Sequence, residues 1–83
     1  HAHRKLQQLL IAVSGSFDVI INDGSTEKTI SLNRPNKGLL IPPMIWREME
    51  NFSNGSVCLV LASMKYDESD YFRDYKEYVK NLK

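Results

Sequence analysis

One cysteine, Cys58, stands in this 83-residue chain. It excludes an internal disulfide framework and any cysteine-rich zinc site. Within the apolar run Val57-Cys58-Leu59-Val60-Leu61 it reads as a buried, inert thiol. Only four Gly and three Pro occur, against 42% hydrophobic residues, so low complexity and disorder are excluded too. No apolar run approaches the ~18–20 residues of a membrane span, and no signal peptide is visible, which predicts a soluble, cytoplasmic protein. Excess charge of either sign is also missing: 11 basic residues face 10 acidic ones. Without a basic stripe there is no footprint for nucleic acid. Histidine is equally scarce, and both copies, His1 and His3, stand at the very start.

What is present is a succession of short β-type runs punctuated by turns. Leu6 to Ser14 closes on Gly15, and Phe17 to Ile21 runs into Asn22-Asp23-Gly24, the signature of a type I′ hairpin turn. Thr26 to Leu32 follows, broken by Asn33-Arg34-Pro35-Asn36; Gly38 to Ile41 stops at Pro42-Pro43. Ile45 to Phe52 is extended, and Ser53-Asn54-Gly55 turns the chain into Ser56 to Ala62. Closely spaced turns with no helix between them predict an all-β, antiparallel barrel or sandwich. The end differs. Tyr71, Tyr75, Tyr78, Val79 and Leu82 follow helical spacing from an N-cap at Ser69 or Asp70, with Arg73 and Glu77 placed to pair on the exposed side. This predicts a short C-terminal helix whose tyrosines pack on the barrel. A domain this small buries only ~60% of its unfolded surface, so pairing with a second copy through sheet edges is expected.

If the first strand reaches back to His1, one face carries His1, His3, Lys5, Gln7, Leu9, Ile11 and Val13. Its polar half can reach a ligand and its aliphatic half belongs in a core. The two histidines could hold a metal, move protons or fill a polar pocket. His1-x-His3, then Gln8, then Gly15 resembles the first motif of the cupin superfamily, whose metal-binding members carry Glu where Gln8 stands; Gln7 is the alternative occupant. The second cupin motif is similar to Gly38-Leu39-Leu40-Ile41-Pro42-Pro43-Met44-Ile45-Trp46-Arg47, with Arg47 at the histidine position. An amide is a poor ligand and a guanidinium none at all, so the expected site has no metal and leaves the histidines free to move protons.

The resemblance extends further. HAHRKLQQLLIAVSGSFDVIINDG, LNRPNKGLLIPPMIWREMENFSNGSVCLVLAS and Tyr66-Asp67-Glu68-Ser69-Asp70-Tyr71 together resemble the sugar-nucleotide 3,4-ketoisomerases, the WxcM-like cupins. That resemblance implies a cupin jelly roll, a homodimer, no metal and no cofactor. It implies conversion of dTDP-4-keto-6-deoxyglucose to its 3-keto isomer for deoxyaminosugars of surface polysaccharides, with His1 and His3 as catalytic residues. The family has further strands before its His-Ala-His motif, which bring a tyrosine and an arginine; residues 1–83 are therefore expected to form a single cupin domain without those N-terminal strands. Histidine, with a pKa of ~6.5, can both accept and donate the proton of an enediol pathway. Gln8 and Arg47 are expected to bind substrate, Arg47 at the enediolate or diphosphate, or else to form a surface ion pair. Trp46 packs on the sugar or base, or in the core; Lys5 meets phosphate, or solvent. Two other readings remain open: a non-catalytic sugar-nucleotide-binding cupin, and a dTDP-sugar epimerase pairing a His base with a Tyr acid.

Overall fold

The alternation of Leu, Ile and Val with polar residues produces two three-stranded antiparallel sheets, seen in a computed structural model that describes residues 1–82. The strands are β1 (Ala2–His3), β2 (Gln8–Ser14), β3 (Phe17–Asn22), β4 (Glu27–Leu32), β5 (Gly38–Ile41), β6 (Trp46–Glu50), β7 (Val57–Ala62) and β8 (Tyr71–Phe72). A 3₁₀ turn (Glu68–Asp70) precedes β8, and helix α1 (Tyr75–Lys80) follows it. One sheet runs β5-β2-β7 and the other β4-β3-β6, while β1 and β8 form a two-stranded ribbon. Leu10 and Ala12 of β2 and Ile41 of β5 meet Phe17 and Val19 of β3 and Leu32 of β4 in the main core. The all-β architecture is as expected, but among the described residues the sheets do not close into a barrel.

That opening leaves β7 as an edge strand with apolar side chains exposed on both faces. Leu59 and Leu61 are 42% and 50% exposed, and Val60, which points to the opposite face, 43%. Cys58 is half-buried rather than buried, and burial still pushes its thiol pKa up.

Three local expectations are corrected. The first strand is not continuous: the chain bends after His3, where Lys5 and Leu6 give their N–H groups to the Asp70 carboxylate. Beyond the bend Leu10 and Ala12 enter the core, and an irregularity in the β2–β7 register between Ala12 and Ser14 leaves Val13 on the outer face. Asn22 pairs with Glu27, which makes the hairpin loop four residues long instead of a two-residue type I′ turn. Side-chain turns won that competition: Asp23 Oδ1 accepts from the N–H groups of Ser25 and Thr26, and Asn22 Oδ1 from that of Gly24. The helix starts at Tyr75 rather than near Ser69, because Asp74 caps it by accepting from Lys76 N–H, while β1 recruits Tyr71 into a strand. Arg73 accordingly pairs with Glu68, not Glu77.

Helix α1 closes a second core of Ala2, Trp46, Phe72 and Tyr78. Tyr78 is fully buried, and its hydroxyl lies 2.9 Å from the Met44 carbonyl and 3.0 Å from that of Asn22. Met44 has a left-handed backbone (φ 64°), which the Pro42-Pro43 turn requires and which this contact helps hold. Tyr78→Phe keeps the apolar packing but strands those carbonyls. It should lower stability by about 1–2 kcal/mol, read as a fall in urea midpoint at constant m. An unchanged midpoint would show that the hydroxyl does not dock the helix.

Candidate active site

β1 is only two residues long, yet it is paired on both edges. On one side Ala2 and His3 stand opposite Phe72 and Tyr71 of β8. On the other, His1 and Arg47 exchange main-chain hydrogen bonds (2.8 and 2.9 Å), and Met44 N–H donates to His3 carbonyl oxygen at 2.7 Å. Backbone pairing therefore brings residues from three distant segments around the two imidazoles.

The rings of His1 and His3 meet edge to face, 5.0 Å between centroids. Tyr71 packs against both, 4.2 Å from His3 and 5.4 Å from His1. His1 is half-buried, whereas His3 is completely buried and neither of its ring nitrogens has a hydrogen-bond partner. Burial, reinforced by the charge of Arg47, pushes the His3 pKa down; the Asp70 carboxylate works in the opposite direction. His3 is thus held toward its neutral form.

Arg47 is 1% exposed, and no acid pairs with it among the described residues. Its Nη1 donates to Gln8 Oε1 at 2.5 Å and its Nη2 to the Ile45 carbonyl at 2.9 Å, while Nε has no partner. Burial lowers its pKa to about 10, which still leaves a cation at neutral pH. A buried guanidinium without a counter-ion favours negative charge formed beside it. The same contact bears on metal binding. The Gln8 amide oxygen, the third donor beside the two imidazoles, already accepts from Arg47, and the added positive charge opposes a cation. The donor set does not fit a transition metal.

The structure brings His1, His3, Gln8 and Arg47 into one cluster. It does not bring in the side chains of Lys5 and Trp46. Lys5 is exposed on the bend, where its backbone N–H serves Asp70. Trp46 packs against Tyr75 and Tyr78 in the second core and donates from Nε1 to Glu48. Two residues of the cluster lay outside the sequence-derived site. The sequence pattern puts Tyr71 on a helical stripe and Asp70 at a cap. The signal was the dense run Tyr66-Asp67-Glu68-Ser69-Asp70-Tyr71, too rich in acids and aromatics for a plain connector. Glu68 accepts from Tyr66 and twice from Arg73, whose guanidinium lies 4.2 Å over the Tyr71 ring, so the run braces Tyr71 from outside.

The chain is 46% identical over 82 residues to the TDP-4-oxo-6-deoxy-alpha-D-glucose-3,4-oxoisomerase of Aneurinibacillus thermoaerophilus, covering 99% of this chain and 59% of that protein. Among solved structures it is similar to the WlaRB TDP-quinovose 3,4-ketoisomerase of Campylobacter jejuni, with 53% identity and a TM-score of 0.93 over 98% of this chain and 62% of that one. A mutant of the 3,4-ketoisomerase QdtA from Thermoanaerobacterium thermosaccharolyticum, in complex with TDP-4-keto-6-deoxyglucose, matches at 47% identity and a TM-score of 0.96, covering 98% and 59%. The chain thus spans about three-fifths of the length of these relatives. The family described as FdtA, WxcM-like, C-terminal matches residues 1–83 throughout, and the chain belongs to it.

Proposed function

We propose that this protein is a metal-independent sugar-nucleotide 3,4-ketoisomerase acting on dTDP-4-keto-6-deoxyglucose. The observation that carries the proposal is the packing of His1 and His3 beside a buried Arg47 that has no acid partner among the described residues. The relatives' names, which specify TDP-4-oxo-6-deoxyglucose and 3,4-isomerisation, support the choice of substrate. In the reaction the proton on C3, next to the C4 ketone, is removed and an enediolate forms. A proton is then returned to C4, the C3 hydroxyl becoming the ketone and the C4 carbonyl a hydroxyl. No external oxidant or reductant is needed. His1, the accessible imidazole, removes the carbon-bound proton; His3, behind it, manages protons of the oxygens. Arg47 stabilises the enediolate through its charge, which acts most strongly as a fixed cation in a shielded site. Gln8 holds the guanidinium in place.

His1→Asn in the full-length protein should lower kcat by at least ~10²-fold with little change in substrate binding. Solvent deuterium exchange at C3, followed by NMR, should disappear with it. If His1→Asn and His3→Asn both turn over at near wild-type rates, the histidines are not the catalysts and the protein is a sugar-nucleotide-binding module.

The same reading makes metal irrelevant to activity. The purified enzyme should hold no stoichiometric transition metal and keep its rate in chelator. One zinc, iron or manganese per chain, lost on His3→Ala, would refute this.

Residues 1–83 form one cupin domain in this proposal, completed by strands upstream of His1 and by a second copy. The exposed apolar residues on both faces of β7 and the chain's partial coverage of its relatives support it. Sedimentation at micromolar concentration should show a homodimer of the full-length protein. A monomer with a cooperative thermal transition would overturn that expectation.

A further inference from the structure

The ketoisomerase reading gives Asp70 no task, yet the molecule places it with care. It is 5% exposed, at the end of the 3₁₀ turn. Its Oδ1 accepts from Lys5 N–H at 2.9 Å and its Oδ2 from Leu6 N–H at 3.2 Å, while its carbonyl accepts from Arg4 N–H at 2.8 Å. Three successive amides of the bend after His3 thus fix this one residue. The same Oδ2 lies 3.5 Å from His3 Nδ1. That distance is an ion-pair approach rather than a formed hydrogen bond, consistent with an Nδ1 that has no hydrogen-bond partner.

We propose that Asp70 is a positioning residue for His3, holding the ring proton on Nδ1 and leaving Nε2 bare to exchange protons in the isomerisation. The inference rests on the reading of His3 as a catalytic partner. The groups facing the His3 ring are the His1 imidazole, Arg47 from β6, Tyr71 from β8 and Asp70. Arg47 carries only donors and cannot receive a proton from imidazole. Asp70 is the one carboxylate of the set. A carboxylate on one imidazole nitrogen selects the tautomer in which that nitrogen carries the proton, orients the ring and stabilises the imidazolium as it forms. The bend amides keep the carboxylate from swinging away. A purely structural Asp70, serving only the bend, would leave the His3 tautomer and titration untouched.

The test combines nitrogen-15 NMR of labelled histidine with kinetics on the full-length protein. In the wild type, His3 should be the Nδ1–H tautomer; the Nε2–H form would overturn the proposal outright, and this measurement requires no variant to fold. Asp70→Asn removes the charge that raises the His3 pKa, so the His3 midpoint should move to lower pH and the tautomer should become mixed. Its kcat should fall ~10²-fold or more while KM stays within ~3-fold. An unchanged His3 titration and tautomer in a folded Asp70→Asn would sink the proposal. If the wild type instead shows the Nδ1–H form but no isomerase activity, the ketoisomerase reading fails and the placement of the proton stands.

Discussion

The double pairing of the His1–His3 backbone is the constraint on which the site depends. Two histidine side chains could be arranged near one another by packing alone, but packing tolerates rotation. Here the main chain itself is pinned, to Arg47 and Met44 on one edge and to Phe72 and Tyr71 on the other. Each ring then inherits its position from peptide geometry. Met44 is part of the same clamp: its N–H goes to His3 and its carbonyl to Tyr78, which together hold a left-handed conformation that a side chain of this size adopts at a cost of order 1–3 kcal/mol.

Within that clamp the electrostatics are unbalanced on purpose. Taking a guanidinium out of water without an acid beside it costs several kcal/mol, and Arg47 is offset only by an amide and a carbonyl. Burial, and after it this uncompensated charge, lowers the proton affinity of His3. A neutral base next to a fixed cation is the arrangement needed to remove a carbon-bound proton and stabilise the charge left behind.

Much of this could be read from the sequence. Strand positions followed from alternation and from turn residues, and Gly38 to Ile41 needed no revision. The link of His1 and His3 with Gln8 and Arg47 comes from the resemblance to cupin motifs rather than from the residues alone. What could not be read were the effects of tertiary competition. Asp70 and Tyr71 fit a helical pattern locally; the choice of strand for Tyr71 belongs to β1, a partner far away in sequence. The outward turn of Val13 sits at an irregularity in the β2–β7 pairing between Ala12 and Ser14, which no local pattern announces. For Trp46 the sequence favours a core over a sugar, and the neighbour that fixes it there is Tyr78.

The long span of those contacts has a consequence for how the molecule comes into being. The β3–β4 hairpin is local and can form early, whereas Lys5 and Asp70, which meet at the base of the site, are 65 residues apart. Loop closure over such a distance delays contact formation until most of the chain is already compact. The candidate site, like the long-range β2–β7 pairing, thus forms after the local hairpin. The candidate site therefore takes shape only once the two ends of this chain have met.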